Sequence, residues 1–152
     1  MNTAAEIPFA DGTYRFWLPM PQVIELERKT ESSISAIEER LRGAIGVDGE
    51  EFVFIGGGSA MMADVRETIR LGLIGGGSGM VDGVEVEVGP NTARALLDAY
   101  VYPTRPLSEG ILVAWRILHA AIHGIELKKK AEAPAPAPKP KARSPKGSVK
   151  GK

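Results

Sequence analysis

The sequence of 152 residues contains no cysteine. Disulfide bonds, thiolate metal sites and cysteine nucleophiles are therefore excluded, and such a composition is consistent with a reducing compartment. Residues 1–10 lack the basic start and the long apolar stretch of a signal peptide. Apolar runs are also too short to span a bilayer. We therefore expect a soluble, cytoplasmic protein.

Charge is distributed unevenly, although the formal net charge is zero. Residues 1–127 carry 10 Lys and Arg against 18 Asp and Glu, a net charge of −8. Residues 128–152 carry nine basic residues and one Glu, a net charge of +8. This second segment is rich in Pro, Ala and Lys and has too few apolar residues to bury a core. The sequence predicts a folded domain over 1–127 and a disordered basic tail over 128–152.

Helical spacing of apolar residues dominates the predicted domain. An Asp11–Gly12 turn between two β-prone runs first predicts an N-terminal hairpin. Five later stretches favour helices: Val23–Leu26, Ile34–Leu41, Met62–Leu73, Ala93–Val101 and Ile111–Ile122. Residues 51–55 fit either a strand or a buried loop, and residues 78–89 read as a loop with room for a short strand. The predicted fold is mainly α, a small helical domain with a short N-terminal β-hairpin and the disordered tail.

Two glycine triplets, Gly56–Gly58 and Gly75–Gly77, have nearly identical flanking residues. A glycine loop before a helix can bind phosphate, but that motif also needs a lysine, and Ser59 is followed by Ala60. The second triplet follows a predicted helix, whose negative dipole end repels phosphate. We interpret both triplets as flexible joints and helix stops.

No complete catalytic or metal-binding motif is found. His119 and His123 are four residues apart on a predicted helix, but Ala120 stands where zinc hydrolases carry Glu. Adjacent acidic residues diverge on a helix or strand, so no acid/base pair is indicated. No serine lies in a nucleophile elbow with a histidine partner. The sequence predicts a protein that is not an enzyme and has no cofactor.

Three segments together resemble the gene transfer agent family of small phage tail proteins. They are Asp64–Gly77, Ala95–Val101 with the following Arg105–Leu107, and Ala114–Gly124. The N-terminal hairpin followed by a helix containing Glu25–Glu27 is also similar. The resemblance covers about residues 5–125, and residues 46–58 and 78–90 depart from the family pattern.

The resemblance implies a tail assembly chaperone in a bacterial host cell. Such proteins are described as binding the long helical tape measure protein before the tail tube polymerises around it. The tape measure protein and the tail tube protein are therefore the expected partners, with self-association also open and no membrane involved. Partner-contacting side chains are expected on the apolar helix faces: Met61, Met62, Ile111, Trp115, Leu118 and Ile122. The same residues also fit a simple core role.

Two other functions stay open at the sequence level. Members of the family are also described as tail tube proteins, so a structural tube component is the first alternative. Nucleic-acid binding through the basic tail is the second, although the tail lacks aromatic residues for base stacking. The tail could also recruit an acidic tail component or fold back on the acidic domain.

Overall fold

A computed structural model describes residues 1–125, so the predicted tail lies outside the described residues. The described part contains five helices: α1 (Met20–Thr30), α2 (Ile34–Arg42), α3 (Met62–Gly76), α4 (Pro90–Tyr100) and α5 (Leu107–His123). It also contains six strands: β1 (Ala5–Phe9), β2 (Gly12–Phe16), β3 (Ile45–Asp48), β4 (Glu51–Phe54), β5 (Ser78–Val81) and β6 (Val84–Glu87).

The predicted N-terminal hairpin is present as β1 and β2, with Ala10 and Asp11 in the turn. Tyr14 and Phe16 are buried on one face of β2, as their alternation predicts. Trp17 points away from them, and its indole Nε1 donates a 3.0 Å hydrogen bond to Thr3. The hairpin therefore has one core face and one outer face.

The prediction of a mainly α fold is wrong, because the hairpin belongs to a larger sheet. Four antiparallel strands lie in the order β1-β2-β5-β6, and β3 and β4 form a separate two-stranded sheet. Residues 78–87, predicted as mostly loop, form β5 and β6, and residues 51–54 resolve as a strand. Because β5 pairs with β2, more than 60 residues earlier, no local period reveals this pairing. The fold is α+β.

The core lies between the buried face of the four-stranded sheet and the two longest helices, α3 and α5. Ile7 and Phe16 from the sheet meet Ile69, Leu73 and other fully buried side chains of these helices. Helices α1, α2 and α4 pack around α3 and α5. The exposed face of the sheet carries mostly polar residues, with Met80 as an exception, as expected for an antiparallel sheet with one face in water.

The second glycine triplet is a close-packed junction. Helix α3 continues through Gly75 and Gly76, and Gly77 ends it with a φ of +75°. A Cβ on Gly75 or Gly76 would overlap the carbonyl oxygens of Trp17 or Arg15. Gly77 stops the helix as predicted, but interpreting the two preceding glycines as a flexible joint is wrong. Their missing side chains allow the end of α3 to pack against β2.

Candidate binding surface

Three of the residues predicted to contact a partner lie in the core. Ile111, Trp115 and Leu118 on α5 are 8%, 4% and 0% exposed. Met61 and Met62 are 65% and 44% exposed at the start of α3. The two methionines are therefore available to a partner in the described structure, and partner contact by any of these residues stays a prediction.

The β3–β4 hairpin, residues 45–54, stands apart from the main sheet, and we call it the arm. Ile45 pairs with Phe54 and Val47 with Phe52, so these four apolar side chains share one face. Val47 is 68% exposed, and both phenylalanines are partly exposed. An isolated two-stranded hairpin is marginal in water, so its contacts with the rest of the domain decide whether it stays ordered.

An aromatic contact holds the arm against α5. The ring of Phe52 meets Trp115 edge-on, with centroids 4.7 Å apart, and lies 5.9 Å from the ring of His119. The Trp115 indole Nε1 donates a 3.0 Å hydrogen bond to a carboxylate oxygen of Glu38 on α2. Arg42 donates to the same carboxylate, one turn away. Trp115 thus joins the arm, α5 and α2.

The two histidines extend this contact along α5. The ring of His119 stacks on Trp115 at 4.7 Å and lies 4.8 Å from the ring of His123. Burial, and then the neighbouring His123, lower the pKa of His119 below its ordinary value, while Glu38 opposes the shift. Ile122 is half-buried beside them. Among residues 1–125, no group of three His, Asp or Glu side chains could hold a metal ion.

A partly buried ion pair joins α2 to the start of α3, after residues 55–61 that lead from the arm to this helix. The guanidinium of Arg40 on α2 makes two 2.8 Å bonds to the carboxylate of Asp64, which is 1% exposed. The same carboxylate accepts a hydrogen bond from the backbone N–H of Met61. The apolar spacing that predicts α2 says nothing about the contacts of Glu38 and Arg40. No local signal could have found them, because their partners lie 77 and 24 residues away.

Exposed apolar side chains are concentrated on the arm and on the residues that follow it, up to Met62 at the start of α3. Six of the 12 large hydrophobic residues exposed in the described part of the chain fall between residues 47 and 62. They are Val47, Phe52, Phe54, Ile55, Met61 and Met62. We call these six residues the apolar patch. Clustered exposed hydrophobic residues often mark a surface that another protein covers.

A cleft of about 580 Å³ lies between the arm, α5 and the N-terminal residues. Its lining includes Phe52, His119, Glu6, Arg116 and Ile125. Ile125 is held there by a backbone bridge to Asn2. The last described residue and Phe52 of the arm therefore line the same cleft.

The fold and this surface define an α+β protein whose distinguishing feature is an exposed apolar arm. Such a feature is typical of binding and assembly proteins. A family model described as "Phage tail tube protein, GTA-gp10" matches residues 2–124. The chain belongs to this family, and it is therefore related to the tail tube proteins of phages and gene transfer agents.

No curated protein and no solved structure matches this chain. None of the helices in residues 1–125 is long and apolar enough to cross a membrane.

Proposed function

We propose that this protein is a structural component of a phage-type tail tube and that the apolar patch contacts neighbouring tail subunits. The observation that carries the proposal is the family match over residues 2–124. The exposed patch supports it, because a subunit that must be buried in an assembly carries its interface as exposed apolar surface before assembly. Other tail components, including further copies of this chain, are the expected partners.

The arm suits such a contact physically. Its face carries Val47 and the partly exposed rings of Phe52 and Phe54, so docking removes aromatic area from water. Each strand of the arm also has one edge without a neighbouring strand in the described structure. Another subunit can therefore cover the apolar face or pair with an open edge.

A second candidate function is a tail assembly chaperone that binds the tape measure protein. Its support is that the free edges of the four-stranded sheet are poorly suited to growing into a tube wall. Pro8, which has no N–H, lies in edge strand β1, and Glu85 and Glu87 lie in edge strand β6. Such residues discourage edge-to-edge pairing. The flexible side chains of Met61 and Met62 would suit the varied apolar faces of a long helix.

The fate of the protein in finished particles separates the two candidates. A tube component remains in the tail in many copies, whereas a chaperone leaves before the tail is complete. We would purify particles from producing cells and measure the copies of this chain per particle by quantitative mass spectrometry. A multicopy result supports the tube component. Absence from finished particles, with capture of the tape measure protein from assembling cells, overturns it in favour of the chaperone.

The role of the patch is tested by paired double variants. Val47→Ser with Phe54→Ser changes the arm, and Met80→Ser with Val84→Ser changes exposed apolar residues of the β5–β6 hairpin. We expect particle yield to fall with the arm variant alone, provided both variants stay folded by circular dichroism. Equal yields from the two variants would contradict a role of the arm in either candidate function.

Nucleic-acid binding through the tail remains a prediction, because residues 128–152 lie outside the described part of the chain. A salt titration of DNA binding, with and without those residues, tests it. Tight binding that depends on the tail at physiological salt would support it. No binding at low salt would end it.

A further inference from the structure

Like charges face each other at the tip of the arm. Asp48 and Glu51 are directly opposite across the hairpin, and Glu50 lies in the turn between them. None of these three carboxylates has an ion-pair partner within residues 1–125. Directly opposed like charges destabilise an antiparallel pair. A nearby cationic segment would therefore stabilise the arm as well as bind to it.

The chain itself supplies such a segment close to the arm. Its described part ends at Ile125, which lines the same cleft as Phe52. Leu127 follows two residues later, and Lys128–Lys130 come directly after it. A chain extends at most about 3.5 Å per residue, so Lys130 lies within about 18 Å of Ile125. The first basic cluster is therefore tethered within reach of the cleft that Phe52 lines.

We propose that Leu127–Lys130 dock on the arm of the same molecule. Leu127 covers the exposed part of the Phe52 ring on the apolar face of the arm. The flexible lysine side chains reach around the two-residue turn to Glu50, and to Asp48 and Glu51 on the opposite face. The domain and the tail have opposite net charges, and this contact gives that asymmetry a defined place. The hairpin β5–β6 is also acidic, with Asp82, Glu85 and Glu87, but it forms the far edge of the sheet from β1.

Docking in this way would cover part of the apolar patch and relieve the repulsion at the tip of the arm. A tail subunit that uses Phe52 for its own contact would have to displace the basic segment. This consequence depends on the proposed function, whereas the docking itself does not. A test on the isolated full chain therefore fails or succeeds independently of the particle experiment.

Paramagnetic relaxation on the full chain tests the docking. Because the sequence has no cysteine, Ala131→Cys places a single nitroxide label next to Lys130. We expect broadening of amides 45–54 and little broadening of amides 78–87. In about 1 M salt the Debye length falls to about 3 Å, so the broadening of the arm should drop roughly twofold to fivefold.

Matched variants separate docking from simple tethering. One triple variant removes the acidic tip of the arm: Asp48→Asn, Glu50→Gln and Glu51→Gln. The matched variant removes the same charge from the β5–β6 hairpin: Asp82→Asn, Glu85→Gln and Glu87→Gln. Only the first set should reduce the broadening, to the level seen in high salt. Salt-independent broadening, or equal effects of the two sets, would show tethering alone and overturn the proposal.

Contacts between two copies are separated by isotope mixing. Nitroxide-labelled chain without ¹⁵N is mixed with ¹⁵N-labelled chain that carries no nitroxide. We expect no broadening of the arm in this mixture. Broadening there would show that the basic segment binds a second copy, and the intramolecular proposal would be wrong.

Discussion

Two acidic hairpins of the same size behave differently in this structure. The arm and the β5–β6 hairpin each have two four-residue strands joined by a two-residue turn that contains a glycine. In the second hairpin, β5 pairs with β2 and extends the main sheet. The arm pairs with no other strand in the described chain and is held by Phe52 against α5. One hairpin is fixed by backbone pairing, the other by a few side chains.

The two hairpins are therefore expected to differ in local stability. Backbone pairing and the tight junction at Gly75 and Gly76 tie β5–β6 to the core. The arm is instead held by the contacts of Phe52 with α5 and of Ile45 with the core. Because these are side-chain contacts only, we expect the arm to open more readily than the sheet unfolds. Surfaces that bind partners are often drawn from such less stable regions.

The largest effect on stability is expected from breaking the ion pair between Arg40 and Asp64. Asp64→Ala removes the carboxylate partner of the partly buried Arg40, which keeps only its hydrogen bond to Ser32. It also removes an acceptor from the N–H of Met61. We expect the free energy of unfolding to fall by about 3 kcal/mol. Urea denaturation measures this value. Hydrogen exchange should show arm amides losing more protection than those of β5–β6.

The control for this variant is Asp98→Ala, which breaks the exposed pair between Arg66 and Asp98. Its cost should be about 0.5 kcal/mol or less, because water screens this pair. Similar losses for the two variants would contradict the importance of the buried pair.

A second prediction compares equivalent glycines in the two hairpins. A Cβ on Gly79 in β5 would overlap the buried ring of Tyr14, whereas a Cβ on Gly46 in β3 would lie 2.6 Å from the exposed side chain of Ile55. Gly79→Ala should therefore cost about 2 kcal/mol, because the ring cannot move freely. Gly46→Ala should cost much less, since Ile55 can rotate into solvent. Thermal unfolding of both variants checks the order, and the reverse order would refute it.

The third prediction concerns the anchor of the arm. Phe52→Ala removes the ring from Trp115, and we expect a loss of about 1 to 2 kcal/mol, because the ring is only partly buried. Tryptophan fluorescence should shift as Trp115 becomes more exposed to water. Val84→Ala, which truncates a 63% exposed residue of the other hairpin, is the control and should leave stability and fluorescence nearly unchanged. An unchanged Trp115 signal in Phe52→Ala would mean that another contact holds the arm.

The smallest effect on stability is expected from the protonation of His119 as the pH falls. Since the pKa of His119 is lower in the folded state than the ordinary value of 6.5, the unfolded state binds more protons between these two values. Stability should therefore decrease as the pH falls below about 6.5 and level off, for this group, below the folded pKa.

A variant isolates this contribution from that of the carboxylates. His119→Gln should show a shallower loss of stability between pH 7 and pH 5 in about the range where histidine titrates. Hydrogen exchange should also show that acid loosens the arm before β5–β6 in the unaltered protein. Identical pH profiles for the two proteins would exclude His119 as the cause.

The sequence predicts the helices better than the strands. Apolar spacing located the cores of all five helices, because each helix is amphipathic by itself. The sequence did not predict that β5 and β6 extend the N-terminal hairpin into a four-stranded sheet. This arrangement depends on the pairing of β5 with β2 and on the close approach of α3. The exposed methionines 61 and 62 lie on the apolar patch, but no sequence pattern indicated that Phe52 would anchor the arm on Trp115.

The amino-acid sequence alone determined the opposite charges of domain and tail, the N-terminal hairpin, the helical segments and the resemblance to a tail protein family. Each of these depends on composition or on residues close together in the chain. The α+β fold, the burial of Trp115 and the cleft that Phe52 and Ile125 share required the three-dimensional structure. Those features arise from contacts between residues that are far apart in the chain, and no local period encodes them.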